Sequence, residues 1–291
     1  PAAYVASIAP NRARLARILG LRDERVPFDA PELVATVNRL ALVGQGDGWA
    51  AYAVRWPAVG RRAVGDIHGE GLLLLPTDGA PVADIIAIPD ADQTPEQIAG
   101  LAEGVPPECQ FARRLAAPTS WRGGCRVLVP ALIDRRPILA DIPAREYLYR
   151  SAYELGRHLI GYELHKVLAG VDWFAREADE RGRAPRICVM GWGEGGLLAL
   201  YAAAVDTRIA AACVSGYFTS RQQLWQEPIE RNVFGLLEQF GDAEIASLIA
   251  PRALIVEAAQ GPQHEIPAGG RAAPSRLTTP PLDAVRAEVE R

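Results

Sequence analysis

The sequence predicts an α/β domain in which helices cover both faces of a mostly parallel central sheet and antiparallel strands form its N-terminal edge. Three observations predict this fold class. From residue 83 onward, apolar strand segments alternate with helical segments, a pattern typical of parallel βαβ units. A short apolar strand, residues 187–190, runs through a glycine-rich turn directly into a helix. No internal repeat or interior linker divides the 291 residues, so we expect one domain, 1–291.

The composition is that of an ordinary globular protein, with 49% hydrophobic and 23% charged residues. The net charge is −4 and the basic residues are scattered, which argues against nucleic acid or an anionic membrane as a partner. No apolar run reaches the ~20 residues of a membrane helix, and no signal peptide is visible. We therefore expect a soluble protein, without a predicted compartment or oligomeric state. Because the chain begins at Pro1, we expect a mature or excised fragment.

Residues 1–75 are predicted to form a helix followed by the antiparallel edge strands. The helix covers residues 11–20, because Leu15, Ile18 and Leu19 share one face and Gly20 stands where a helix stop belongs. Three strands, joined by glycine-rich turns, follow at residues 36–43, 49–56 and 71–75.

Residues 76–291 are predicted to form the parallel core. Its strands are expected at residues 84–88, 126–129, 186–190, 209–214 and 252–257. Its helices are expected at residues 94 onward, 107–116, 146–180, 194–204, 243–249 and 279–291. Irregular segments are expected at residues 130–145, 217–240 and 260–281. Since the chain ends within the last helix, we expect the fold's final strand to lie beyond it.

The turn after residue 190 reads Gly191-Trp192-Gly193-Glu194-Gly195. In a strand-turn-helix elbow of this sharpness, the residues two before and two after the tip must be small. Gly191 and Gly195 meet that demand only if Gly193 is the tip, because a tip at Glu194 would place Trp192 at a small-residue position. The spacing therefore predicts Gly193 at the tip.

This elbow resembles the nucleophile elbow of serine hydrolases of the α/β-hydrolase superfamily. It is similar to the G-W-S-Y-G-G turn of prolyl-oligopeptidase-like enzymes and to the elbows of acetyl xylan esterases and dienelactone hydrolases. Residues 249–257 also resemble the strand that precedes the acidic triad member in these families. The resemblance covers roughly residues 71–259. It implies an α/β-hydrolase fold, action on small-molecule or carbohydrate esters without a cofactor, and Gly193 in place of the nucleophilic serine.

The resemblance also implies roles for other residues. The backbone N–H of Glu194 takes the position of an oxyanion donor, and Glu257 takes the position of the triad acid. His264 is the only histidine after Glu257, and it is either the catalytic base or an exposed loop histidine. Glycine has no side chain to attack a carbonyl, and loss of the nucleophile removes several orders of magnitude of rate.

Two interpretations therefore stay open. The first is an ester hydrolase with an incomplete triad. The second is a non-catalytic binding or structural module, in which the elbow persists as a turn because glycine tolerates positive φ. In the second, carboxylates at the carboxyl ends of the strands form an acidic crevice for a sugar or a cation. The candidate contacts are Asp90, Asp92, Trp192, Glu194, Ser215 and Glu257.

Two further groups of side chains bear on a metal site or a sugar site. Glu154, His158 and His165 fall on one face of the predicted long helix, but the two histidines are two turns apart, so we predict no metal site. Tyr217, Phe218 and Trp225 lie in the excursion after residue 216, where they either pack an insertion or form a platform for a sugar.

Overall fold

A computed structural model describes residues 2–61, 65–120, 122–139 and 141–291. The described residues form these strands: β1 (Glu32–Leu33), β2 (Leu42–Gly46), β3 (Trp49–Arg61), β4 (Gly65–Pro76), β5 (Asp84–Ile88), β6 (Arg126–Pro130), β7 (Pro137–Leu139), β8 (Ile142–Pro143), β9 (Ile187–Trp192), β10 (Ile209–Ser215), β11 (Ala253–Glu257), β12 (His264–Ile266) and β13 (Ser275–Leu277). The helices are α1 (Ala2–Ile18), α2 (Pro95–Ile98), α3 (Phe111–Ala116), α4 (Ala144–Glu154), α5 (Leu159–Glu180), α6 (Glu194–Val205), α7 (Asp242–Ser247) and α8 (Leu282–Val289).

The central sheet has the order β1-β3-β4-β6-β5-β9-β10-β11, and β2 pairs with β3. The pairs from β6 through β5, β9 and β10 to β11 are parallel, whereas β1, β2, β3 and β4 form an antiparallel N-terminal edge. The predicted fold class is therefore confirmed. The parallel register also brings the carboxyl ends of β5, β9, β10 and β11 to one edge of the sheet.

Helices cover both faces because successive strand residues point to opposite sides. Ile86 and Ile88 of β5 pack in one core cluster with α1, α5 and α6. Ile85 and Ala87 pack in the other, which includes α3. Each fully buried aliphatic side chain of this kind contributes about 1.5–3 kcal/mol, so the two apolar layers hold the sheet edge in place.

The N-terminal predictions were only partly right. The first helix begins at Ala2 rather than residue 11 and continues through Pro10. The strand predicted at residues 36–43 is wrong, since β2 starts at Leu42 and the preceding residues contain only an isolated bridge between Thr36 and Arg39. Val37 is fully exposed, so this apolar stretch does not face the core.

The long helix predicted at residues 146–180 is two helices. The chain leaves α4 through Gly156, which has a φ of 66°. His158 is the N-cap of α5, where its Nδ1 accepts a hydrogen bond from the Ile160 N–H at 3.1 Å. Glu154 is exposed whereas His158 and His165 are buried, so the stripe expected on one helix face does not exist.

Two segments predicted to be irregular contain short hairpins. Within residues 130–145, β7 pairs with β8, and within residues 260–281, β12 pairs with β13. The helix predicted at residues 107–116 is a 3-10 turn followed by α3. In the part of the chain that the structure describes, no helix is long and apolar enough to cross a membrane.

Candidate functional site

The turn between β9 and α6 has its tip at Gly193, with φ 60° and ψ −118°. Glycine adopts this conformation without the steric cost that a Cβ would bring. A Cβ on Gly191 would overlap the Gly195 carbonyl oxygen, and a Cβ on Gly195 would overlap the Ile88 carbonyl oxygen. The flanking glycines are therefore required by close backbone approach, for the reason that the sequence pattern indicates.

Asp90 lies against the tip of this turn. It follows β5, is fully buried, and its Oδ1 accepts a hydrogen bond from the Glu194 backbone N–H at 2.8 Å. A Cβ on Gly193 would overlap Asp90 Oδ1 and lie 2.9 Å from Pro262 Cγ. The Glu194 N–H, which the resemblance assigns as an oxyanion donor, is therefore already hydrogen-bonded to the Asp90 carboxylate. This carboxylate also fills the space that a serine side chain at position 193 would need.

Arg135 holds Asp90 in this position. Its Nη1 donates to Asp90 Oδ2 at 2.6 Å and to Asp92 Oδ2 at 2.9 Å, and the Asp92 N–H donates to Asp90 Oδ2 at 3.0 Å. Burial works against the charge on Asp90, but the ion pair and hydrogen bonds with Arg135 bring the pKa of this carboxyl below its ordinary value. Asp90 is therefore an ionised carboxylate anchored from two sides.

Glu194, the first residue of α6, is fully buried among three arginines. Its carboxylate accepts hydrogen bonds from Arg231 Nε at 2.8 Å, Arg145 Nη2 at 2.9 Å and Arg135 Nη2 at 3.2 Å. Burial alone would raise the pKa of Glu194, but Arg231, Arg145 and Arg135 bring it well below the ordinary value. The start of the helix also favours a negative charge.

The arginines around Glu194 bind further carboxylates. Arg145 Nη1 donates to Glu163 Oε1 at 2.7 Å, and Arg145 Nε lies 3.5 Å from Glu230 Oε1. Arg231 Nη1 donates to Glu227 Oε2 at 3.0 Å. Buried ion pairs of this kind cost several kcal/mol of desolvation per ion, so losing one partner leaves a charge that the interior cannot stabilise. This network of buried ion pairs therefore holds Glu194 and the start of α6 in place.

These contacts correct the expectation of an acidic crevice. Asp90 and Glu194 are buried and neutralised by arginines instead of facing a ligand. Asp92 and Glu257 are exposed, and Glu257 accepts a hydrogen bond from the Ser215 hydroxyl across the ends of β10 and β11. These four carboxylates were grouped by their positions in the sequence alone. The arginines that pair with Asp90 and Glu194 come from other segments of the chain.

Glu257 and His264, the two remaining triad candidates, have separate hydrogen-bond environments. Glu257 bonds Ser215, and no hydrogen bond joins His264 to Glu257 within the described ranges. His264 is half-buried on β12, and its Nε2 has no partner there. Burial and the neighbouring Arg135 charge bring the pKa of His264 below its ordinary value. The catalytic roles assigned to Glu257 and His264 stay predictions.

The aromatic candidates divide into three environments. Trp192 is half-buried, and its Nε1 donates to the Gln260 carbonyl oxygen at 2.8 Å, which ties the β11–β12 connection to the elbow. Tyr217 and Phe218 are buried in the core cluster, whereas Trp225 is 74% exposed. Tyr217, Phe218 and Trp225 thus do not form one shared platform.

Sequence reasoning missed the three arginines and Pro262. A usable signal was present, because α6 reads Glu-Gly-Gly followed by apolar residues to Val205. A carboxylate that begins so apolar a helix beside a buried strand needs a cation, since buried charges are almost always paired. That signal predicts an arginine or lysine near Glu194, but it does not identify Arg135, Arg145 and Arg231.

Comparison with known proteins shows similarity at the level of structure. No protein-family model and no curated protein sequence matches the chain. A candidate acetyl xylan esterase from Bacteroides fragilis NCTC 9343 superimposes with a TM-score of 0.62 at 17% identity, covering 86% of this chain and 66% of that one. A glucuronoyl esterase from Solibacter usitatus gives 0.55 at 16% identity, covering 95% of this chain and 76% of that one. The chain therefore has the α/β-hydrolase-type fold of these esterases.

Proposed function

We propose that this protein is a non-catalytic binding or structural module on the esterase fold, in which Gly193 stands where a hydrolase carries its nucleophilic serine. One observation carries the proposal: the Asp90 carboxylate accepts the Glu194 N–H at 2.8 Å and leaves no room for a side chain at position 193. The elbow tip therefore carries no nucleophilic side chain, and its backbone donor is bonded to a carboxylate.

A carboxylate at this donor opposes ester hydrolysis for an electrostatic reason. Acyl transfer builds negative charge on the carbonyl oxygen, and hydrolases stabilise that charge with free backbone donors. Here the Glu194 N–H already donates to Asp90, so it is not free to stabilise an oxyanion. Arg135 holds Asp90 by two guanidinium contacts to its carboxylate, so the donor is not released by a simple side-chain rotation.

The second candidate function is ester hydrolysis by a mechanism without a serine at position 193. The observation that favours it is the fold shared with two proteins described as esterases. In that case Glu257 and His264 would have to act on a water molecule, and their separate hydrogen-bond environments give this candidate the weaker support.

Hydrolysis of p-nitrophenyl acetate distinguishes the two candidates. We expect the wild-type chain and Gly193→Ser both to remain at the buffer rate, because the serine would collide with Asp90. Wild-type turnover well above the buffer rate that Glu257→Gln abolishes would overturn the proposal in favour of the second candidate. Activity gained by Gly193→Ser alone would contradict the blocked-donor argument.

A further inference from the structure

β11 forms one end of the central sheet, and one of its two edges has no partner strand. It pairs with β10 over residues 253–257 in unbroken parallel register. No strand pairs with its other edge within the ranges that the structure describes. Exposed edge strands usually carry a lysine, a proline or a bulge that prevents pairing with another chain. The run Ala253-Leu254-Ile255-Val256-Glu257 has none of these, so this edge is open to a further strand.

The backbone groups on the free edge belong to Leu254 and Val256. The Glu257 carbonyl oxygen accepts a hydrogen bond from the Gly216 N–H at 3.1 Å, so residue 257 points its backbone groups towards β10. Because this direction alternates along a strand, Ile255 does the same, whereas Leu254 and Val256 point their backbone groups away from β10. The free edge therefore offers two N–H donors and two C=O acceptors in an extended row.

These four groups determine how a second copy of the chain would pair. In an antiparallel pair, hydrogen-bonded residues exchange both of their backbone bonds. When Leu254 lies opposite the partner's Val256, two-fold symmetry places Val256 opposite the partner's Leu254, and all four groups are bonded. Ile255 then lies opposite its own copy in a pair without backbone hydrogen bonds, where the Cα atoms are about 4.5 Å apart and the side chains are close.

This pairing covers Ile255, whose side of the sheet is not covered by a helix. The Ile255 side chain is 59% exposed, and its neighbours in the same row, Met190 of β9 and Cys213 of β10, are only partly buried. Parallel sheets normally have both faces covered. The partner's Ile255 continues this row and covers apolar surface, which contributes about 25 cal/mol for each Å² removed from water.

The opposite side of β11 adds further apolar surface. Leu254 and Val256 line a groove of about 590 Å³ together with Leu282, Val285 and Val289 of α8. Leu282 and Val289 are 51% and 57% exposed. A stable interface needs about 800 Å² per partner, which is more than one short strand provides. The partner's Leu254 and Val256 side chains lie on this same side of the paired strands, so the groove enlarges the interface.

The charges on β11 permit this self-pairing. Glu257 is its single charged residue, and its carboxylate accepts a hydrogen bond from the Ser215 hydroxyl on the β10 side. In the register centred on Ile255, each Glu257 lies opposite the partner's Ala253. The two carboxylates are then at opposite ends of the strand pair, about 13 Å apart along the strands. This separation exceeds the screening length of about 8 Å at physiological ionic strength, so their repulsion is weak.

We infer that this edge binds a second copy of the chain, in a symmetric dimer whose two β11 strands pair antiparallel about Ile255. The central sheet then continues from one chain into the other. The self-complementary row of backbone groups, the apolar strand and the separated carboxylates favour a second copy over an unrelated strand. The inference concerns self-association, so it goes beyond the proposed function and does not depend on it.

Sedimentation velocity over a range of micromolar concentrations tests the dimer. We expect the wild-type chain to move from 31.4 kDa towards twice that mass as its concentration rises. Ile255→Lys should raise the dimer dissociation constant at least tenfold, because it places two like charges opposite each other. Val37→Lys is the matched control, since it makes the same change at a fully exposed residue between β1 and β2, at the other end of the sheet. It should leave the dissociation constant within twofold.

Cross-linking tests the register of the strand pair. Under mild oxidation, Ile255→Cys should form a covalent dimer, because opposed Cα atoms at about 4.5 Å fall within disulfide range. Glu257→Cys should not cross-link to itself, whereas a mixture of Glu257→Cys and Ala253→Cys should cross-link. The wild-type chain measures the background from its four native cysteines.

A wild-type chain that stays monomeric at every concentration would overturn the inference and leave the edge to a strand of another origin. Equal weakening by Ile255→Lys and Val37→Lys would overturn it too, as would Ile255→Cys that cross-links no more than the wild type or Glu257→Cys. Circular dichroism verifies that each variant is folded before the comparison. None of these outcomes changes the ester assay, so failure of the dimer and failure of the proposed function are distinguishable.

Discussion

The Asp90 carboxylate accepts a hydrogen bond from the Glu194 backbone N–H at 2.8 Å, directly beside the glycine at the tip of the elbow. This bond joins the carboxyl end of β5 to the first residue of α6. It places a carboxylate at the N–H that the elbow's sequence resemblance to serine hydrolases predicts to be a free donor. The same contact makes the local consequences of substitution at Gly193 and around Asp90 testable.

Gly193→Ser is expected to lower the free energy of unfolding by about 2–4 kcal/mol, from a strained positive φ and overlap with Asp90 and Pro262. Gly156→Ser is the matched control, because Gly156 has a similar φ of 66° and a Cβ there meets nothing within 4 Å. The control should cost only about 1 kcal/mol. Urea unfolding followed by circular dichroism measures both, and equal losses would show that the overlap is absent.

Arg135→Met is expected to lower the free energy of unfolding by about 3–5 kcal/mol, because it leaves the buried Asp90 charge without its arginine and removes one of the three arginines around Glu194. Arg136→Met, at the next position, removes an exposed side chain that pairs with Asp134 and should cause no measurable change. Thermal and urea unfolding of the two variants provide the comparison. A loss shared by both variants would argue that Arg135 does not support a buried network.

Asp242 is expected to make the protein less stable as pH rises from about 4 to 7. Burial raises the pKa of its carboxyl to about 7, against the opposing charge of Arg221. The folded state therefore retains a proton that the unfolded state releases, and stability falls by at most about 1.4 kcal/mol per pH unit in this window. Asp242→Asn should remove that slope in urea titrations at pH 4, 5, 6 and 7. An unchanged slope would contradict the buried, protonated carboxyl.

His158 is expected to make the protein less stable as pH falls, which is opposite to the effect of Asp242. Burial lowers the pKa of its imidazole to about 4. Between about pH 6.5 and 4 the imidazole is therefore neutral in the folded state and protonated in the unfolded state. Its contribution to stability is present above pH 6.5 and is lost as pH falls towards 4. His158→Asn keeps a residue suited to the N-cap of α5 and should remove this loss. NMR titration of the His158 ring with an ordinary midpoint would refute the prediction.

The elements that the sequence predicted well are those determined by neighbouring residues. The apolar run of β5, the start of α2 directly after residue 94, and the spacing of Gly191 and Gly195 follow from local sterics and hydrogen bonding. The two wrongly predicted elements, the long helix and the strand before Leu42, also have causes in their own segments of the chain. Gly156 divides the predicted long helix, and the apolar residues before Leu42 face solvent instead of pairing.

The sequence by itself determined the fold class and the glycine at the elbow tip, because strand periodicity and tight-turn sterics act over a few residues. Only the tertiary structure decided what surrounds that tip. Arg135, Arg145 and Arg231 lie 59, 49 and 37 positions from Glu194 along the chain, yet all three bond its carboxylate. Their charges meet because the sheet brings distant loops to one edge, and local sequence patterns carry no record of which loops those are.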